Sequence, residues 1–292
     1  VDGTGMVAMP GLINCHTHLA TTVLRSFWDD SPAMEALEGQ LTREAKLDHR
    51  SAKASALLGI AECLRFGITS VSDLYSCPEA TAEAAAQSGI KANIALAANR
   101  FVDANEEFDF ETDEQCRRLV QTVETWHGYD HGRIRIDAGI YAEYTSNYQL
   151  WEALRDYAVH KGLGMQLHLA ETPQEAESCA DRTGLTPGEL LDCHGLFAVP
   201  ATAAGCAALS LQERQLLAKR KTTAVVTPIA DAKAGKLGPD KMAGGTFTVS
   251  NLGSFGCEGF TPVINPPQTG IMGICNIETK IKGVKDGQIE TY

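Results

Sequence analysis

Between residues 9 and 226, short apolar runs alternate with longer segments of helical periodicity, and this alternation constrains the fold more than any other feature. The predicted strands are residues 9–13, 68–75, 91–98, 133–141, 163–169, 202–208 and 222–226. The predicted helices are 51–66, 79–88, 112–126, 147–161, 186–193 and 211–220, and residues 30–50 are charged with helical spacing. Ser51 can cap the first helix, along which Leu57, Leu58, Ala61, Leu64 and Arg65 recur at helical intervals; Gly67 and Gly89 end the first two. Strand–helix–strand units at a spacing of roughly 25–40 residues build right-handed crossovers and therefore a parallel sheet.

The first strand runs into His16-Thr17-His18. Side chains at i and i+2 of a strand share a face, so the two imidazoles can grip one metal ion. Neutral imidazole is the commonest metal ligand near neutral pH. On this motif alone, a ligand pair and two ordinary strand-end histidines are both open.

The stretch Met9-Pro10-Gly11-Leu12-Ile13-Asn14, then His16-Thr17-His18, with Leu24-Arg25 and Asp29-Asp30 downstream, resembles the amidohydrolase superfamily. It looks most like the branch that deaminates S-adenosylhomocysteine and 5′-methylthioadenosine, with triazine hydrolases as relatives. The resemblance runs from about Met6 to about Val226. It implies a metal-dependent (β/α)8 barrel, here incomplete because only seven strands can be counted. It also implies Zn or another divalent metal and hydrolytic deamination of an adenosine-type small molecule by metal-activated water. In such a barrel the chemistry sits at the C-terminal ends of the strands, where His16, His18 and His168 all fall. Leu167-His168-Leu169-Ala170-Glu171 matches the family's His-x-x-Glu, so the resemblance makes His168 the third metal ligand and Glu171 the proton shuttle. A carboxylate beside an activated water can take its proton and pass it to a leaving amine. The bland alternative for His168 is a satisfied core histidine. Glu44 matches a substrate-contacting carboxylate, although read bare it is a helix-surface residue. Tyr141 stands where the family has the His of a fourth-strand His-x-x-Tyr and is assigned to substrate binding. Arg25 and Asp30 fall in the family motif without a derivable role.

Three departures predict impaired turnover. Tyr141 replaces the fourth-strand histidine, Ala203-Ala204-Gly205-Cys206 stands where the family has Ala-Ala-His-Cys, and the Asp after an eighth strand is missing. Removing one electrostatic stabiliser costs on the order of 10²–10³ in rate.

Composition changes abruptly after Val226. All eight His and all three Trp precede Thr227, whereas eleven of the 27 Gly follow it. From about Asp231 the sequence, including Thr246-Phe247-Thr248-Val249-Ser250-Asn251 and Pro266-Pro267, looks like the catalytic core of dihydrolipoamide acyltransferases. Ser250 and Asn251 match a loop near that family's active site, but its His-x-x-x-Asp-Gly motif does not follow. The predicted organisation is a barrel over 1–226 and a β-rich α+β fragment over 227–292. The alternative function is a chimeric or composite chain whose acyltransferase segment acts in assembly; because that family forms trimers, a homo-oligomer is expected.

The formal net charge of −12 argues against nucleic acid or an anionic membrane as partner. Nine cysteines at irregular spacing, without Cys-x-x-Cys, and no signal-like opening read as reduced thiols in a cytoplasmic protein. Cys63 and Cys206 read as buried small hydrophobes. His127 and His131 read as surface loop; His49, His160 and His194 carry no signal.

Overall fold

The computed structural model describes residues 9–25, 39, 42–44, 46–101 and 106–227, together with the backbone of four strands between 247 and 291. Two compact units divide the chain, Val1–Thr227 and Pro228–Tyr292.

In the first unit, seven parallel strands lie in sequence order: β1 (Leu12–Thr17), β2 (Ile68–Tyr75), β3 (Lys91–Leu96), β4 (Ile134–Gly139), β5 (Met165–Leu169), β6 (Ala201–Gly205) and β7 (Thr223–Val226). Helices α1 (His49–Arg65), α2 (Pro78–Ser88), α3 (Glu114–Trp126), α4 (Tyr148–Lys161), α5 (Pro173–Thr183), α6 (Pro187–Cys193) and α7 (Leu211–Arg220) provide the crossovers. This is the wall of an α/β barrel, with β1 and β7 as its edges among the described residues.

The main core lies between sheet and helices and includes Ile60, Ile94, Leu119, Ile136, Leu154 and Leu167. Across the sheet, Leu74, Ala95 and Ala97 pack together with Tyr141 against them. Polar groups form a layer on β2–β5. Ser72 Oγ donates to Gln166 Oε1 at 3.0 Å, and Asn93 Nδ2 donates to Asp137 Oδ2 at 2.6 Å.

Local chemistry explains most helix starts. Asp113, Asn147, Thr172, Thr186 and Ser210 each accept a backbone N–H of the following first turn. Three expectations need correction. First, α1 is capped by Asp48, which accepts the N–H of Ser51 at 2.7 Å, so Ser51 is inside the helix. Its inward face is Ala52, Ala56, Gly59, Ile60 and Cys63, while Leu58 and Leu64 are exposed. Small residues face inward because the Leu19–Leu24 turn packs closely there: a Cβ on Gly59 would meet Thr22 Oγ1 at 2.6 Å. Second, β1 is not a buried run; Ile13 is 66% exposed, and among the described residues β1 pairs with β2 alone. Third, α5 was not expected.

In the second unit, β8 (Phe247–Asn251) pairs in parallel with β9 (Gly270–Ile274), and β10 (Ile281–Lys285) pairs antiparallel with β11 (Gln288–Thr291). Ser250 and Asn251 therefore end a strand and do not lie in a loop. Their side chains, residues 260–268, and Asp29 and Asp30 lie outside the described residues.

Candidate metal centre

β1 carries His16, and His18 leads directly into the tight Leu19–Leu24 turn. Asp73 on β2 holds that corner. It is 1% exposed and accepts the Leu19 N–H at 2.6 Å and the Thr17 hydroxyl at 2.9 Å. Tyr75, two residues on, stacks on the His18 ring at 4.2 Å and donates its hydroxyl to Glu44 Oε1 at 2.5 Å.

His168 comes from the other side, near the end of β5, a strand buried at every position. Its backbone N–H and its Nδ1 both meet the Tyr141 carbonyl, at 2.9 and 2.8 Å. A carbonyl only accepts, so Nδ1 carries the ring proton and Nε2 is a bare lone pair. That nitrogen lies 3.1 Å from His18 Nε2 and 3.2 Å from His16 Nε2. The ligating atoms of the three residues all lie within 4.8 Å of one another. Two nitrogens on a tetrahedral ion at 2.0–2.1 Å stand about 3.3 Å apart, so the donor set fits a divalent metal.

Electrostatics agree with the geometry. Burial, then the neighbouring His168, pushes His16 down to about 3. Burial pushes His168 down to about 4, against the Tyr141 carbonyl, which favours the protonated ring. His18 is held well below the ordinary value by burial and by both other rings. All three are neutral near pH 7, the state that binds metal.

The other expected residues fall at defined places. Glu171 follows β5, and its stem lies over Gly205, where an added Cβ would meet Glu171 Cγ at 2.5 Å. The end of β6 is thus filled by Glu171 in place of a side chain at 205. The Tyr141 ring lies 4.6 Å from that of His168. Its phenol is raised by burial and then by the Glu171 charge. Glu44 is buried, which corrects the bare surface-helix reading. Arg25 pairs with Glu62 at 2.5 Å and lines, with His16 and His18, a cleft of about 430 Å³. Cys63 and Cys206 are buried.

The remaining histidines lie elsewhere. His127 Nδ1 faces the Ile136 backbone, 2.9 Å from its carbonyl oxygen and 3.2 Å from its nitrogen, while His49 and His194 pair with Glu83 and Glu152. Sequence reasoning missed Asp73, Tyr75 and Glu175. The first two sit at the C-terminal end of a predicted strand, and Glu175 completes a Thr-x-x-Glu signal with Thr172.

A parallel α/β wall with three imidazoles converging at its strand ends defines a metal-binding barrel protein. The chain belongs to the amidohydrolase family, whose model matches residues 7–242. A 5-methylthioadenosine/S-adenosylhomocysteine deaminase from Dictyoglomus thermophilum is 37% identical over 80% of this chain and 53% of its own length. One from Caldicellulosiruptor saccharolyticus is 32% identical over 93% of this chain and 56% of its own, an alignment that necessarily extends past Thr227. The solved structure of a zinc-bound adenosine deaminase from Xanthomonas campestris superimposes with a TM-score of 0.70 at 29% identity, covering 78% of this chain and 51% of that one. The chain spans about half the length of the curated relatives it matches. A second family model, 2-oxoacid dehydrogenases acyltransferase (catalytic domain), matches residues 219–292.

Proposed function

We propose that the chain is a zinc-dependent amidohydrolase that deaminates an adenosine-type small molecule of the 5′-methylthioadenosine or S-adenosylhomocysteine kind. The observation that carries the reading is the convergence of His16, His18 and His168 with the His168 proton held on Nδ1. The substrate class rests on the relatives' names. His16, His18 and His168 would hold the ion, which when bound supplies a water of lowered pKa, about 7, and polarises the reacting centre. Glu171 takes and returns the proton, Glu44 and Tyr141 face the substrate, and burial keeps the histidines unprotonated. Turnover is slow, because Gly205 brings no side chain to the end of β6 and Tyr141 carries no imidazole.

The test is ammonia release from 5′-methylthioadenosine and S-adenosylhomocysteine by the zinc-loaded full chain, with His168→Ala as control. One zinc per chain and release that depends on His168 support the reading. Stoichiometric zinc with no release from either compound overturns it.

The match over residues 219–292 favours a second reading, in which an acyltransferase-core segment is joined to the barrel and drives homo-oligomer assembly. Peptide mapping across residues 221–236 with solution mass decides it. A junction peptide and a trimer or larger support it; a monomer refutes it.

A further inference from the structure

Glu175 is 9% exposed and lies in the first turn of α5. Thr172 already caps that helix, accepting the Glu175 N–H at 3.1 Å. In a reciprocal capping box the glutamate reaches back to the N–H of the capping residue. Here it reaches further. Oε1 accepts the Ala170 N–H and Oε2 the Glu171 N–H, each at 2.8 Å. Ala170 sits at φ +47, in the left-handed region that non-glycine residues rarely adopt. The turn between β5 and α5 is thus strained; the Ala208 N–H holds its Ala170 carbonyl at 2.8 Å, and the Glu175 carboxylate holds both of its amides. On its other side the Glu171 stem lies against Gly205, which has no side chain to displace it.

We propose that Glu175 is a positioning residue: its carboxylate clamps the Ala170 and Glu171 amides and so fixes the aim of the Glu171 side chain. This rests on the assignment of Glu171 as proton carrier. The clamp is maintained at a cost, since burial and the adjacent Glu171 push the Glu175 carboxyl up to about 7. Strain and an unfavourably buried acid at one turn are a pairing found where a site must be preorganised. A helix-capping role alone would not need the second oxygen, because Thr172 supplies the cap.

The experiment is a double-substitution cycle in the full zinc-loaded chain. Glu175→Ala and the isosteric Glu175→Gln are measured alone and on Glu171→Gln, with amide exchange read at Ala170 and Glu171. Glu175→Gln turns one acceptor into a donor facing an N–H, so it is expected to fail as Ala does. The expected result is a loss of about 10–100-fold in kcat, with KM within about twofold and zinc content unchanged. On Glu171→Gln the same change costs less than about twofold, because its effect runs through the missing group. Equal losses in both backgrounds, or an unchanged kcat, overturn the proposal. If the wild-type chain holds zinc but releases no ammonia, the functional reading fails. The clamp is then judged by exchange, and Ala170 and Glu171 amides exchanging equally in wild type and Glu175→Gln overturn it.

Discussion

The two halves of the candidate metal centre are held differently. His168 stands on β5, paired on both sides by β4 and β6, with every residue of the strand buried and its Nδ1–H fixed to the Tyr141 carbonyl. His16 and His18 stand at the end of β1, an edge strand with irregular register against β2 and with Ile13 and Cys15 exposed. There, side chains do the holding: Asp73 ties down the corner and Tyr75 backs the His18 ring. A ligand in the middle of a sheet is oriented by backbone. A ligand on the edge depends on a few buried polar groups, and those groups are where the site can be loosened without unfolding it.

The largest effect comes from removing the sheet-centred ligand. His168→Ala should abolish zinc binding in equilibrium dialysis, because among the described residues only the two ligands on the softer side, His16 and His18, then remain. Retained stoichiometric zinc would break the comparison. Next comes acid. In the metal-free chain the unfolded histidines take up protons near pH 6.5, whereas the folded His168 and His16 wait until about 4 and 3. The unfolded state then binds more protons, so stability present above that window is lost as pH falls through it. The loss from pH 7 to pH 4 should be on the order of 3 kcal/mol for His168, the buried ring, and smaller for the half-buried His16, read by urea unfolding followed by tryptophan fluorescence. The same titration on His168→Ala should have a shallower slope; an identical slope would mean that the sheet-centred ring is not the group that resists protonation.

Legibility in the sequence followed the same division. Elements defined by local chemistry were readable: the helix expected over 211–220 has those bounds, and the one expected over 147–161 starts one residue later because Asn147 is its cap. The three histidines were readable because strand periodicity and the rule of C-terminal strand ends act on single residues. What stayed hidden depends on pairs distant in sequence. Asp73 is informative only once Leu19 N–H is known to face it, and Tyr75 only once His18 lies under its ring. The inward face of α1 is not the set of residues that carries its helical periodicity, since Leu58 and Leu64 are exposed. The close Leu19–Leu24 turn instead selects small residues, which carry little periodic signal. Gly205 was legible as a departure but not as a contact: the space it leaves is occupied by Glu171.

That contact gives the third prediction. Gly205 has φ +93, so Gly205→Ala meets backbone strain as well as the Glu171 stem. A stability loss of about 1–3 kcal/mol is expected, with kcat falling and zinc binding intact, since the β5 and β1 ligands are untouched. Unchanged kcat would separate Glu171 from Gly205 and remove the reason for a glycine at the end of β6.

The smallest effect tests the edge. Tyr75→Phe keeps the ring over His18 and deletes only the hydroxyl that Glu44 accepts at 2.5 Å. Glu44 is 7% exposed, so losing that donor should cost about 1–2 kcal/mol. If edge ligands depend on side-chain scaffolding, part of that cost reaches the metal, as a fall of up to about tenfold in zinc affinity by competition with a chelator. A stability loss with zinc affinity unchanged would mean that Tyr75 serves Glu44 alone. Asp73 would then be the one group among those named that secures the edge half of the centre.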